Sequence, residues 1–254
     1  SMQAELLKMG HDCQIHGMDT WNQLPKNDTH IHLRGLHKYP YPKVKNAYAW
    51  IINHPELIDC DSLKDYRLCF CASKPFTKIL NQLNINFAVL GTEESCTGDP
   101  ARRAGNEFVF QQLAQQNIAT MNGYGVKKIV TTCPHCFNTL KNEYPALGGN
   151  YEVVHHSTYL QQLINDGKLK VEGGAFKGKR ITYHDSCYLG RANEIYEAPR
   201  SVIEALDADL IEINKCRTNG LCCGAGGSQM FKEDEPGNKR INTERTGQLI
   251  EVYP

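Results

Sequence analysis

Short apolar runs alternate along the chain with segments in which apolar residues recur every three or four positions. The apolar runs, typical of buried strands, are YRLCFC (66–71), NFAVLG (86–91), KKIVTT (127–132) and YEVVHH (151–156). The periodic segments, which predict helices, are FTKILNQL (76–83), residues 99–121, PHCFNTLKNEY (134–144) and STYLQQLIND (157–166). Strands that alternate with helices predict an α/β fold in which helices cover short parallel sheets.

The same alternation resumes in the second half of the chain. ITYH (181–184) and ADLIEI (208–213) predict strands, and residues 193–206 and 238–250 predict helices. The Gly/Lys-rich segment GGAFKGKR (173–180) separates the two halves. We therefore expect two tandem, pseudo-repeated domains, over residues 64–172 and 173–254, preceded by a polar, irregular extension over residues 1–63.

A single long helix is predicted over residues 99–121. Asp99 is its candidate N-cap, and Pro100 is suited to the first helical position. The Gly-rich segment GAGG (224–227) opens another predicted helix. It lacks both the lysine of a phosphate-binding loop and the spacing of a dinucleotide site, so it does not predict nucleotide binding.

Charge and cysteine content narrow the classes of function. The net charge is zero and the isoelectric point is about 7.1, which gives no electrostatic reason to expect nucleic acid as a partner. No apolar run approaches the roughly 18 residues of a membrane span, and no secretory signal is visible. We expect a cytoplasmic location, where eleven cysteines indicate metal binding or redox work rather than disulfides.

The cysteines follow the internal repeat. The first half contains ESCTG, with Cys96, and then CPHC, with Cys133 and Cys136; the second contains HDSC, with Cys187, and LCCGAGG, with Cys222 and Cys223. Thirty-six residues separate Cys96 from Cys133, and the same step from Cys223 passes beyond residue 254. The repeat therefore predicts a second domain that stops before its own Cys-x-x-Cys pair, as in the C-terminal portion of a larger protein.

Two upstream cysteines compete as the counterpart of Cys187. Cys60 has the matching interval, since 35 residues separate it from Cys96 and 34 separate Cys187 from Cys222. Cys71 has the matching context, because it ends a predicted strand. We favour Cys71 and keep Cys60 as the alternative.

Paired thiols at a helix start suit both zinc and iron–sulfur iron. The helix dipole stabilises their thiolate form. Zinc ribbons use two close pairs, whereas the cysteine groups here are widely spaced and lie at strand ends, where α/β folds place their sites. Adjacent cysteines such as Cys222 and Cys223 are awkward around one small ion and can instead bind neighbouring irons of a cluster.

Several motifs resemble the cysteine-rich CCG domain of iron–sulfur oxidoreductases. They are GTEESCTGDPARRAGNE, CPHCFNTLKNEYPALGG, HDSCYLGR and LCCGAGG, in this order over residues 64–250. The domain occurs in heterodisulfide reductase subunits, in the iron–sulfur subunits of glycolate and lactate oxidases, and in membrane-tethered oxidoreductases linked to acyl-CoA or quinone metabolism. The first two motifs are most similar to this last group.

The resemblance implies a [4Fe-4S]-type cluster that passes electrons or reduces a disulfide. The implied ligands are Cys71 (or Cys60), Cys96, Cys133 and Cys136 in the first domain, and Cys187, Cys222 and Cys223 in the second. Ser95 stands where the double-cysteine form has its first cysteine. The implied partners are other parts of an electron-transfer complex, of ferredoxin or flavoprotein type, and a quinone-reducing part at the cytoplasmic face of a membrane.

Two alternatives to electron transfer stay open. Four cysteines in the first domain could hold zinc in a structural or interaction module without a redox role. A thiol enzyme could use bare cysteines for disulfide reduction, although no activating partner is identifiable in the sequence.

Residues near the cysteines carry expectations of their own. We expect His135 to point to solvent and His155–His156 to form a structural pair at a strand end. Asp185 is interpreted as a turn or cap residue, and Cys216 as a bystander that lies near enough to Cys222 to replace a missing ligand.

Overall fold

Two parallel sheets organise the computed structural model of the chain. The described residues are 67–70, 73–171, 174, 176–233 and 236–252. The irregular extension predicted over residues 1–63 lies outside them.

The first sheet has four parallel strands in the order β2-β1-β3-β4. They are β1 (Arg67–Phe70), β2 (Phe87–Ala88), β3 (Lys128–Thr131) and β4 (Glu152–His155). Phe70 pairs with Thr131, and Thr131 pairs with His155, so β1, β3 and β4 end level with one another. The segments that follow these strands therefore leave the sheet at the same edge.

Helices connect and cover the strands of this sheet. They are α1 (Lys74–Gln82), α2 (Asp99–Arg103), α3 (Glu107–Gly123), α4 (Pro134–Asn138) and α5 (His156–Asn165). The segment after α4 continues as a π-helical turn over Thr139–Glu143 and a 3-10 turn over Tyr144–Leu147. None of the described helices combines the length and the apolar character that crossing a membrane requires.

The core has one apolar layer on each face of the sheet. Successive side chains of a strand point to opposite faces, and both Ile129 and Val130 of β3 are buried. Ile129 packs in the layer that contains Met121 of α3, and Val130 in the layer that contains Leu80 of α1 and Leu160 of α5. Burial on both faces explains why the strand sequences are continuous apolar runs.

The single helix predicted over residues 99–121 is wrong, because the chain breaks between α2 and α3. Gly105 adopts a left-handed conformation, with φ of +83°, which an uninterrupted helix does not allow. The side chain of Asn106 then accepts a hydrogen bond from the backbone N–H of Val109 at 3.1 Å and caps α3. The Gly-Asn pair was the local signal for this break.

The start of α2 also differs from the prediction. Gly98, with φ of +85°, occupies the N-cap position, and Asp99 is the first residue of the helix. The Asp99 side chain is buried and accepts hydrogen bonds from His135 and Arg103 instead of capping α2. Asp99 therefore belongs to the interior of the site described below.

The second half of the chain builds a smaller sheet. Its elements are β5 (Arg180–Ile181), β6 (Asp209–Leu210), α6 (Glu197–Glu204) and α7 (Ile241–Glu251), with the two strands parallel. Helix α6 packs against α5, where Gln161 donates a hydrogen bond to Ser201 at 3.0 Å. The predicted α/β fold with short parallel sheets is confirmed, and the domain boundary at residue 173 stays a prediction.

His155 and His156 lie at the junction of β4 and α5. His155 caps α5, because its Nδ1 accepts a hydrogen bond from the backbone N–H of Ser157. The two imidazole rings lie with their centres 4.4 Å apart. Burial, and then the charge of His156, lowers the pKa of His155 to about 3, so the imidazole is neutral in the folded protein at neutral pH.

Acidification should destabilise the fold through His155. The unfolded imidazole binds a proton near pH 6.5 and the folded one near pH 3, so stability is fully present above pH 6.5 and falls as the pH drops towards 3. One such group contributes a slope of up to about 1.4 kcal/mol per pH unit. His155→Asn, which keeps a capping oxygen, should have a shallower slope in chemical denaturation between these pH values. Parallel curves for the two proteins would contradict this assignment.

Candidate functional site

Three of the predicted cysteines of the first half come together at the carboxyl edge of the larger sheet. We call Cys96, Cys133 and Cys136 site one. Cys133 follows β3 and is the N-cap residue of α4, Cys136 lies within α4, and Cys96 precedes α2. The thiols of Cys133 and Cys136 are hydrogen bonded, and Cys96 lies near enough to Cys133 for electrostatic interaction. Segments far apart in sequence thus bring thiols within electrostatic range of one another.

The surroundings of site one disfavour the thiolate forms of Cys96 and Cys133. The hydrogen bond to Cys136, followed by burial and the charge of Cys136, raises the pKa of Cys133. The pKa of Cys96 is raised chiefly by burial, although part of its surface stays open to solvent. Thiolates at these positions would therefore need a positive centre beside them, such as a metal ion.

Hydrogen-bond donors point at the sulfurs of site one. The backbone N–H of Gly98 lies 3.5 Å from Cys96 Sγ, and the hydroxyl of Thr97 lies 3.7 Å from Cys136 Sγ. Donors of this kind favour negative charge on sulfur and tune the properties of sulfur ligands.

Asn117 of α3 holds the loop that presents Cys96. Its side-chain amide donates to the carbonyls of Ser95 and Cys96, at 3.3 and 3.0 Å, and to the hydroxyl of Tyr144 at 3.1 Å, while its oxygen accepts from the Ser95 N–H at 3.3 Å. The Tyr144 hydroxyl donates in turn to the Thr97 carbonyl. Sequence reasoning missed Asn117, although a polar residue on the apolar face of a helix was a usable signal.

The predicted cysteines of the second half also come together. We call Cys187, Cys222 and Cys223 site two. Burial raises the pKa of Cys187, and the charges of Cys222 and Cys223 raise it further. The backbone N–H groups of Gly224 and Gly226 donate to Cys222 Sγ and Cys223 Sγ, each at 3.4 Å. The Gly-rich loop therefore wraps its amides around sulfur.

Cys223 of site two favours the thiolate form, unlike Cys96 and Cys133 of site one. Burial would raise the pKa of Cys223, but the N–H groups of Ala225 and Gly226 outweigh it and lower this pKa. Arg191 lies near enough to Cys187 to lower its pKa in part. Backbone amides thus favour negative charge on Cys223, whereas burial keeps the pKa of Cys187 raised despite the nearby Arg191.

A buried ion pair includes Asp185, which lies two residues before Cys187 of site two. Arg200 donates to both oxygens of Asp185, at 2.8 and 2.9 Å, and both side chains are buried. Asp185 also accepts from the Arg217 N–H at 2.6 Å, and Arg200 binds Glu212 as well. Asp185 is therefore more than a turn residue, because removal of its charge would leave Arg200 only partly compensated in the interior.

Three further cysteines carry predictions: Cys216 as a bystander that could replace a missing ligand, and Cys71 or Cys60 as a ligand of site one. Cys216 lies beside Glu212, Arg200 and Asp185, and these groups, after burial, dominate its pKa. Cys60 and Cys71 lie outside the described residues. Their roles as alternative ligands stay predictions.

His135 does not point to solvent, so that prediction is wrong. Its Nδ1 lies 2.8 Å from a carboxylate oxygen of buried Asp99, and its ring lies 4.4 Å from the ring of Tyr188. Burial would lower the pKa of His135, but the hydrogen bond and charge of Asp99 raise it. Tyr188 belongs to the other half of the chain, so no local pattern around CPHC could reveal this contact.

Loss of the Asn117 side chain should destabilise the protein. Asn117→Ala leaves the Ser95 and Cys96 carbonyls without their donor, and we expect the free energy of unfolding to fall by about 2 to 4 kcal/mol. Gln116→Ala, at an exposed position of the same helix, is the matched control and should change little. Equal denaturation midpoints for the two variants would rule out this role for Asn117.

The chain is similar to several curated proteins. It is 49% identical over 183 residues to the EtfAB:quinone oxidoreductase of Syntrophomonas wolfei subsp. wolfei, covering 70% of this chain and 25% of that protein. It is 48% identical over 180 residues to the probable iron-sulfur-binding oxidoreductase FadF of Bacillus subtilis, covering 70% and 25%. It is also 36% identical over 241 residues to a subunit of the dihydromethanophenazine:CoB--CoM heterodisulfide reductase of Methanosarcina mazei, covering 89% and 56%.

The chain thus spans about a quarter of the length of the first two relatives and about half of the third. A family model, the cysteine-rich domain CCG, matches residues 60–141 and 181–253. The two matches contain site one and site two. The chain belongs to the family of proteins with this cysteine-rich domain and carries two copies of it.

Proposed function

We propose that the chain is an iron–sulfur electron-transfer component of an oxidoreductase complex. The observation that carries the proposal is the convergence of Cys96, Cys133 and Cys136, from separate segments, at one edge of a parallel sheet. Hydrogen-bond donors that point at sulfur support it further. The relatives are named as oxidoreductases, one of them iron-sulfur-binding, which favours iron over the zinc alternative.

The donor set fits a [4Fe-4S]-type cluster. Such clusters take thiolates, one to each liganded iron, so their ligands are spread more widely than those of a single ion. Among the described residues, no three His, Cys, Asp or Glu side chains are arranged to hold one metal ion. A bound cluster would supply one-electron redox chemistry, and the protein would supply thiolates, burial and N–H donors that set its potential.

Cys71 is our choice for the fourth ligand of site one. In sequence it directly follows Phe70, the last residue of β1, and Phe70 pairs with Thr131, two residues before Cys133. Cys60 lies eleven residues before Cys71. The proximity of the strand ends supports Cys71 over Cys60.

Site two is proposed to bind iron and sulfide in the same way, through Cys187, Cys222 and Cys223. The repeat aligns Ser95 with Cys222 and Cys96 with Cys223, so the two sites differ at this position. Serine offers a hard oxygen ligand, which does not replace the soft thiolate that a cluster iron prefers. We infer that the two sites hold different ligand sets and have different potentials.

The proposed partners follow from the relatives. One is named an EtfAB:quinone oxidoreductase and another a subunit of a heterodisulfide reductase. We propose that this chain relays electrons between a dehydrogenase or flavoprotein and a quinone or disulfide, within a larger assembly at the cytoplasmic face of a membrane. The described residues include three cysteines of each proposed site, and Cys71, the proposed fourth ligand of site one, lies outside them.

Metal analysis of the chain, purified without oxygen, tests the proposal. We expect about four irons and four sulfides for each occupied site, with broad visible absorption and an EPR signal after reduction. Cys133→Ser should remove the site-one signal, because it deletes a ligand. Cys216→Ser is the matched control and should retain that signal.

Zinc near one per chain, with no iron in any preparation, would contradict the proposed function. In a Cys222→Ser/Cys223→Ser background, which removes two ligands of site two, iron that survives both Cys133→Ser and Cys136→Ser would contradict the assignment of site one.

The choice between Cys71 and Cys60 has its own test. Cys71→Ser should lower the iron content of site one and change its EPR signal, because oxygen ligation weakens binding of a cluster iron. Cys60→Ser should leave both unchanged. The reverse result would make Cys60 the ligand and would leave the rest of site one in place.

A further inference from the structure

His135 connects the segments that present the two cysteine sites. His135 stands between Cys133 and Cys136 in sequence, so its backbone belongs to site one. Its ring packs on Tyr188, the neighbour of Cys187, with ring centres 4.4 Å apart. One side chain of the first half thus contacts the segment that presents a thiol of the second half.

The same ring lies against the Gly-rich loop of site two. A Cβ placed on Gly226 would lie 2.4 Å from His135 Nε2, so only glycine allows this approach. The N–H of Gly226 donates to Cys223 Sγ at 3.4 Å. The residue that seats the ring is therefore the residue that orients a site-two sulfur.

Further contacts fix the relative position of the two halves around this ring. The guanidinium of Arg103 lies 5.4 Å from the centre of the Tyr188 ring and also binds Asp99, the partner of His135. The hydroxyl of Ser228, just after the Gly-rich loop, donates to the Pro100 carbonyl of α2. These contacts hold the His135 ring against the loop.

We infer that His135 is a positioning residue that couples the two cysteine sites. Its ring fixes the position of the loop Cys222–Gly227 against α4. A change in that loop therefore alters how firmly site one holds its cluster. Since coupling between two sites is reciprocal, a change at His135 alters site two as well. The inference rests on the proposed function where it concerns a cluster, and on the contacts of His135 where it concerns the loops.

The substitution Gly226→Ala tests the coupling, because it adds one methyl group against the His135 ring. Gly226 does not have positive φ, so alanine is allowed by the backbone and the clash with His135 is the expected effect. Gly237→Ala is the control, because a Cβ there would meet nothing within 4 Å. Both are made in a Cys222→Ser/Cys223→Ser background, where the cluster signal belongs to site one.

We expect Gly226→Ala to speed the loss of the site-one cluster to a chelator about tenfold, a factor that corresponds to about 1.4 kcal/mol. Its midpoint potential should shift as well, which a change in stability alone would not cause. Gly237→Ala should match the parent in both measurements. Equal loss rates and potentials for the two variants would overturn the inference.

A second background separates His135 from general damage to the loop. His135→Asn keeps a donor for Asp99 but lacks the distal part of the ring, so the methyl group introduced by Gly226→Ala has room. In this background, Gly226→Ala should cause no further change in loss rate or potential. An undiminished effect would show that the loop acts on site one without His135 and would overturn the inference.

Failure of the proposed function gives a different result. If the parent chain binds no iron, the parent, Gly226→Ala, His135→Asn and the variant with both substitutions are compared by thermal unfolding without metal. Non-additive changes in the unfolding midpoint would support the coupling of the loops even though the cluster proposal fails. Additive changes would overturn the coupling too.

Discussion

One buried carboxylate, Asp99, holds the contact on which the arrangement of the two halves depends. Burial would raise its pKa, but His135 and Arg103 bind it and lower the pKa below the usual value. The Thr139 hydroxyl also donates a hydrogen bond to a carboxylate oxygen of Asp99, at 3.5 Å. Because a buried charge is stable only with its partners in place, Asp99 fixes the His135 ring and α2 at the same time.

The parallel sheet supplies the other constraint. Its strands end level, so loops that are distant in sequence reach one edge, and helix α3 supplies Asn117 to hold the loop of Cys96. The two copies of the domain then differ in their electrostatics. Burial and thiol contacts raise the pKa values of Cys96 and Cys133, whereas backbone amides lower that of Cys223. Repeated topology therefore presents sulfur in two chemically distinct environments.

The sequence predicted what local periodicity determines. The apolar runs gave the strands β1, β3 and β4, and the repeat grouped Cys187 with Cys222 and Cys223, which the structure brings together. Strand lengths were overestimated, since β5 has two residues where four were predicted. The break at Gly105 was missed because apolar periodicity continues across it, although the left-handed glycine interrupts the backbone hydrogen bonds.

A further error concerns His135, whose ring contact with Tyr188 joins the two halves and is specified by neither copy of the domain alone. His135 was expected to point to solvent because its polar partner, Asp99, and its aromatic neighbour, Tyr188, lie 36 and 53 residues away in sequence. A glycine at 226 had an apparent local purpose in a Gly-rich loop, yet the close ring contact is what forbids a side chain there. In a tandem repeat, such residues are set by the packing of one copy on the other. The residue between the two cysteines of this Cys-x-x-Cys pair is therefore placed by the second copy of the domain as well as by the first.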